Sequence, residues 1–215
     1  SNRIINLSPD DQIVSTLPLA HTLNILKKEL PPHFDRLARS VVSLSDLLLV
    51  FLHIDKPSLL DESWIFIPDP KIAFHRISEQ ESFDPAMTPN GSIVCCEIMS
   101  SNTRPMAKLT DDKLIQLATD GLSDMGYSGF NLLNQRVIRL PKSYPVFRTG
   151  FEKGLGELLE GLDQFDNFRT IGRQGAFNYI GTLDAMDIGY GYAKWLTNKK
   201  TKLWKHERER TNHYP

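Results

Sequence analysis

The chain has 215 residues, and its 25 Lys and Arg nearly balance 26 Asp and Glu, a formal net charge of −1. That balance gives no electrostatic case for nucleic acid or for an acidic partner. The apolar fraction of 40% and charged fraction of 24% are those of an ordinary globular chain, and the length suits one large domain or one domain with part of another.

The longest apolar run, Leu47 to Leu52, falls far short of the roughly 20 residues that span a bilayer, so no transmembrane segment is expected. The only cysteines are the neighbours Cys95 and Cys96. In a strand their side chains point to opposite faces, so they are not expected to pair, and a reducing, cytoplasmic setting is the expectation. Ser1-Asn2 reads as an expression scar, with no secretory leader after it.

In chain order, Arg3 to Leu7 and Gln12 to Leu17 read as short strands around a Ser8-Pro9-Asp10-Asp11 turn. Pro18 suits the start of a helix over Ala20 to Lys28, because its missing N–H would be unpaired there anyway. Pro31-Pro32 ends that helix and starts another, Phe34 to Val41. Leu47 to Ile54 reads as a strand buried on both faces and broken by Asp55-Lys56-Pro57. Ser63 to Ile67, Phe74 to Gln80 and Ser92 to Met99 follow as strands of an antiparallel meander. Alternation places Trp64 with Phe66, Phe74 with Arg76, and Glu97 with Ile93 and Cys95.

Thr110 is a helix N-cap with Asp111 and Asp112 in the first turn, and Leu114, Ile115, Ala118, Leu122 and Met125 recur at helical spacing up to Gly126. A strand over Asn131 to Leu140 is expected to stop at Pro141 and resume as Tyr144-Pro145-Val146-Phe147. A helix over Phe151 to Leu162, a strand over Arg169 to Gly172 and a final helix from Asp184 complete the order, before a charged tail from Asn198 to Arg210. The fold class is α+β, or mixed α/β: an antiparallel-rich sheet with flanking helices and a terminal strand–loop–helix.

The stretch Thr170 to Leu196 carries the functional interest. A strand runs into Gly172-Arg173, then a glycine-containing loop, then Asp184 at a helix mouth, an arrangement that offers backbone N–H groups to an electron-rich ligand. Ala185, Gly189 and Ala193 fall at i, i+4 and i+8; Gly189 and Gly191 cost about 1 kcal/mol each against Ala, a cost offset either by a flat ligand or by tight packing. Arg173 is a phosphate fork or an exposed loop arginine. Asp184 stabilises the helix dipole or accepts from a sugar hydroxyl. His75, Arg76 and Glu79 form a polar cluster in an apolar hairpin, and a buried Arg76 requires an anion, Glu97 or a substrate phosphate. Lys199 to Arg210, with Trp195 and Trp204, reads as a solvated helix end or as a contact for an anionic membrane surface. The six histidines show no metal-ligand spacing, and neither a Gly-x-Ser-x-Gly elbow nor a dinucleotide-binding Gly-x-Gly-x-x-Gly is present.

Five segments in order carry a family resemblance: Val14-Ser15-Thr16-Leu17-Pro18-Leu19, Ser63 to Pro70, Phe74 to Glu79, Tyr144-Pro145-Val146-Phe147, and Gly172-Arg173 through Tyr179 to Asp184. The chain resembles the C-terminal half of the flavoprotein group that contains FAD-dependent amine oxidases, protoporphyrinogen oxidases and UDP-galactopyranose mutases. The resemblance implies crossover strands from an FAD-binding domain over 3–20, a substrate-binding domain over 21–166, and an FAD-contacting strand–loop–helix with a charged tail over 167–215. It implies flavin contacts from Gly172, Arg173, Asp184, Ala185 and Met186, the last through its backbone N–H, and a substrate side lined by Arg76, Tyr144 and Tyr179. Catalytic residues are left unassigned, and no metal is implied.

The implied activity is hydride transfer between a small-molecule substrate and FAD in the full-length protein. The alternatives are a mutase acting on a nucleotide sugar, and a non-catalytic binding domain that has lost the cofactor. Where mutases carry an acidic residue just beyond the tyrosine, this chain has Gly181-Thr182. The implied partner is an N-terminal FAD-binding half of the same protein, without which the chain is expected to be inactive and not to retain FAD. The strands at 3–17 and 169–172 are expected to leave a free sheet edge on which a second copy could pair.

Overall fold

The computed structural model of the chain describes residues 4–8, 10–88, 90–198 and 203–211. It is a mixed α+β fold that divides into two compact units, one of residues 44–144 and one of residues 1–43 with 145–215. The helices on either side of the sheet segment pack on each other, and so group with the terminal strands.

The unit of 44–144 is a five-stranded sheet of β2 (Leu44–Ile54), β3 (Trp64–Phe66), β4 (Arg76–Glu79), β5 (Ser92–Ser100) and β6 (Leu132–Pro145). Its order is β3-β4-β5-β2-β6. The antiparallel meander therefore holds for β3, β4 and β5, while β2 inserts beside β5, pairing Leu49 with Glu97 and Phe51 with Cys95. Helix α3 (Asp111–Asp124) covers one face. It starts where expected: Thr110 Oγ1 accepts from the Lys113 N–H at 3.3 Å, and Gly126 follows its end with φ +90°. Leu114, Ala118 and Leu122, all fully buried, meet Leu48, Val50, Leu52, Val94, Cys96, Ile98 and Ile77. Burial along β2 alternates, so the strand is not sealed on both faces as its apolar run implied; Leu49, Phe51 and His53 lie on the face away from α3.

Three expectations in this unit fail locally. Phe74 precedes β4 and turns into the α3 core with Ile77, so it does not share a face with Arg76. The cluster of His75, Arg76 and Glu79 is split, because residues three apart in a strand face opposite ways. Glu79 is fully buried and holds the 58–60 turn, accepting from the N–H groups of Leu59 (2.7 Å) and Leu60 (2.8 Å) and from the Ser58 and Ser92 hydroxyls. Strand β6 runs through Pro141 without a break. As an edge strand it tolerates the missing N–H, and Lys142 takes up the irregularity at φ +53°.

The other unit is mainly helical: α1 (Leu19–Ile25), α2 (His33–Val41), α4 (Phe151–Asp163), α5 (Gly172–Gly175), α6 (Thr182–Asn198) and α7 (Trp204–Thr211). Its strands β1 (Ile13–Ser15) and β7 (Phe168–Thr170) form a two-stranded parallel sheet, with Val14 opposite Arg169. Parallel pairs normally lie inside wider sheets covered on both faces, yet Val14 is 42% exposed. Ile4 to Leu7 is not a strand, and Arg3 lies outside the described residues. The strand expected over Arg169 to Gly172 stops at Thr170, because Gly172 at φ +81° turns the chain into α5. Of the tail, Lys199 to Lys202 lie outside the described residues; α7 folds back on α6, with Trp204, Glu207 and Arg208 buried.

Candidate functional site

The segment from β7 to α6 is built on close approaches. Gly175 sits where an added Cβ would lie 2.8 Å from Thr170 Oγ1 and 2.9 Å from the Ser15 carbonyl oxygen, so the one-turn α5 is pressed onto the paired strands. Thr170 Oγ1 donates to the Gly175 carbonyl at 2.7 Å and holds it there. Phe177 adopts φ +54°, unusual for a bulky residue, and its ring meets Phe147 edge-on with centroids 5.6 Å apart.

Arg173 lies 4.4 Å over the Tyr179 ring and donates to the Ile180 carbonyl. Its planar fork thus braces the loop that leads to α6, with Tyr179 39% exposed beside it. Asp184 Oδ2 accepts from the Gly181 N–H at 3.0 Å, so the carboxylate closes the helix start as well as complementing its dipole. The Ala185 amide is already bonded to the Gly181 carbonyl at 3.1 Å. Because α6 begins at Thr182, the Met186 amide falls within the helical ladder; with the Gly181 amide given to Asp184, the first-turn amides without a backbone partner in the helix are those of Thr182 to Asp184.

Helix α6 has two apolar faces. Ile188, Tyr192 and Trp195 are buried with Ile171, Ile180 and Trp204. On the opposite side Leu183 is 80%, Met186 51% and Tyr190 72% exposed, and Ala185, Gly189 and Ala193 form an exposed flank between the two faces. The two glycines separate here. A Cβ at Gly189 would meet nothing within 4 Å, whereas one at Gly191 would fall 2.0 Å from Glu207 Oε1 of α7. Tight packing accounts for Gly191, and Gly189 stands on the exposed flank.

In the sheet unit, Arg76 Nε donates to Glu97 Oε1 at 2.8 Å and Nη2 approaches the same oxygen at 2.6 Å. The anion required by the sequence is therefore Glu97. Arg76 also lies 5.8 Å from the centre of the Phe66 ring, beside Trp64 on the face away from α3. Tyr144 belongs to β6, separated from β4 by β5 and β2, about 14 Å across the sheet. The structure thus does not bring Arg76 and Tyr144 together. Cys95 is pushed up to about 12 by burial, helped by the Glu97 charge, and Cys96 is raised by burial; both are unpaired, protonated thiols rather than nucleophiles. Of the remaining expected residues, Gly172, Arg173, Tyr179, Asp184, Ala185 and Met186 all lie in the helical unit. Gly175 and the Leu183, Met186 and Tyr190 stripe were not foreseen. Their signal was available: Leu183, Met186 and Tyr190 recur at i, i+3 and i+7, on the side opposite another apolar stripe.

No protein-family model and no curated protein matches the chain. Among solved structures the fold is similar to that of a reduced UDP-galactopyranose mutase, with a TM-score of 0.67, 19% identity and coverage of 79% of this chain and 37% of that one. It is also similar to a candidate protoporphyrinogen oxidase from Exiguobacterium sp. 255-15, with a TM-score of 0.56, 13% identity and coverage of 76% and 36%. The chain spans little more than a third of the length of either structure.

Proposed function

We propose that this chain is the C-terminal, substrate-binding portion of an FAD-dependent oxidoreductase of the amine oxidase and protoporphyrinogen oxidase type. The observation that carries the reading is the uncovered apolar face of α6, beside a parallel sheet that has two strands among the described residues. Both are half-built: a helix with a second apolar face needs another surface, and a parallel pair needs further strands. The fold likeness to the two solved structures supports it.

The residues fit one wall of a flavin site. Leu183, Met186 and Tyr190 offer apolar contact, the bare backbone at Gly189 allows close approach, and the first-turn amides of α6 offer donors to a ring carbonyl. The chain holds no Gly-x-Gly-x-x-Gly cradle for the ADP portion, so the reading requires the N-terminal half of the same protein, and the chain alone does not retain FAD. When bound, the flavin would accept hydride from the substrate. The chain's own residues position: Gly172 sets the turn, Arg173 braces the loop, Asp184 closes the helix start, and Ala185 and Met186 present the open face. In the helical unit Tyr179 is assigned to substrate; Arg76, held by Glu97, and Tyr144, at the far side of the sheet, are not placed on it together.

A mutase acting on a nucleotide sugar is the second reading, supported by the higher TM-score to the mutase, 0.67 against 0.56. A binding domain without cofactor is the third. The polypeptide encoded by the complete reading frame that contains this chain is expected to purify with FAD, visible in its absorption spectrum. A complete protein that takes up no flavin would overturn the first two readings. With flavin bound, reduction of the cofactor by amines or porphyrinogens supports the oxidoreductase; interconversion of UDP-sugars only after prior flavin reduction supports the mutase.

A further inference from the structure

A cavity of about 660 Å³ opens in the helical unit among α4, β7, α6 and α7, a volume typical of small-molecule sites. Arg169, Trp195, Trp204, Arg208, Leu159 and Leu203 line it. The two arginines are equally buried, 8% and 6% exposed, but are not equally paired. Arg208 forks both oxygens of Asp163 (3.0 and 2.7 Å) and donates to the Thr170 carbonyl at 2.7 Å. Arg169 gives Nη1 to the carbonyls of Phe165 and Phe168, while its Nε–H has no acceptor. Among the described residues no carboxylate lies within ion-pair distance of it.

The Arg169 guanidinium lies 5.1 Å from the Trp195 ring and 5.6 Å from the Trp204 ring. The indole N–H groups of both tryptophans, 6% and 9% exposed, also lack an acceptor. Three residues on one cavity wall thus carry unpaired donors, and the Arg169 charge is balanced only at a distance, by Asp163 and Asp166. Leaving such groups buried is costly, and burial depresses the Arg169 pKa accordingly. At the rim the exposed carboxylates of Glu160, Asp166 and Glu209 outnumber the one exposed ammonium, Lys205, and disfavour a multiply charged anion.

We propose that this cavity binds a small planar monocarboxylate, its carboxylate held by Arg169 and its ring laid against Trp204 between Leu159 and Leu203. The assignment is independent of the flavin reading, since it involves none of the residues on the open face of α6.

The test is a titration of the ¹⁵N-labelled chain with benzoate, followed by the indole N–H resonances of its three tryptophans. The Trp195 and Trp204 signals should move saturably while that of Trp64, in the other unit, stays. Arg169→Gln should weaken benzoate about tenfold, the loss of one charge-assisted bond. If that variant loses the dispersed spectrum of a folded chain, Arg169→Lys, which keeps the charge but not the fork, should show the weakening instead. Phenyl phosphate should bind less well than benzoate, and Glu209→Gln should narrow the gap. Four results would each overturn the proposal: no saturable shift in the native chain, benzyl alcohol binding as well as benzoate, phenyl phosphate binding better, or unchanged affinity in a folded Arg169 variant.

Discussion

Gly161 of α4 lies directly under the ring of Phe34 of α2: a Cβ on the glycine would stand 2.2 Å from Phe34 Cε2. The ring is 6% exposed, so it has no room to withdraw. Gly161→Ala gains about 1 kcal/mol of helix propensity but overpacks a rigid contact, and a net loss of about 1–2 kcal/mol is expected in urea unfolding. Phe34→Leu in the same chain should recover part of that loss, and a double-mutant cycle measures the coupling.

The glycines of the candidate site should separate in the same way. Gly175→Ala drives a Cβ against the Ser15 carbonyl in the neighbouring strand and is expected to cost about 2 kcal/mol. Gly189→Ala meets open space inside a helix and should stabilise the chain by about 0.5–1 kcal/mol. On the flavin reading, the same Gly189→Ala should lower the flavin content of the complete protein. Unchanged flavin content would remove α6 from the proposed contact surface.

The Arg208 and Asp163 pair is buried at 7% and 15% side-chain exposure. Asp163→Asn leaves a guanidinium without its counter-charge and is expected to cost about 3 kcal/mol. Replacing both residues, with Met and Leu, should cost less than the single change. The unfolding midpoints of the native chain and the two variants, read by tryptophan fluorescence, check the order.

His75 gives a pH dependence with a definite sign. Burial lowers its pKa from 6.5; Glu97 opposes the shift and Arg76 assists it, and Nδ1 has no hydrogen-bond partner. Below the ordinary imidazole value the unfolded chain therefore holds a proton that the folded chain does not. The contribution to stability is complete above pH 6.5 and is lost as pH falls through that value toward the lower folded pKa. In His75→Gln that part of the stability profile should flatten. A slope unchanged by the substitution would assign it to other groups.

Much of the secondary structure was legible because the signals are local. Thr110, Asp111 and Gly126 bound α3 through groups within one turn of each end, and Leu114, Ala118 and Leu122 mark its buried face by spacing alone. Gly172-Arg173 and Asp184 likewise announced a turn and a helix start, and the structure has both. What the sequence could not carry is which distant segments meet. The insertion of β2 beside β5, the separation of Arg76 from Tyr144 by two strands, and the grouping of α2 with α4 all depend on pairing across many residues, where one apolar run is as good a partner as another until volumes are fitted. The same holds for the glycines of α6: Gly189 and Gly191 are equivalent as letters, and only the return of α7 against one side of the helix left the first open and enclosed the second.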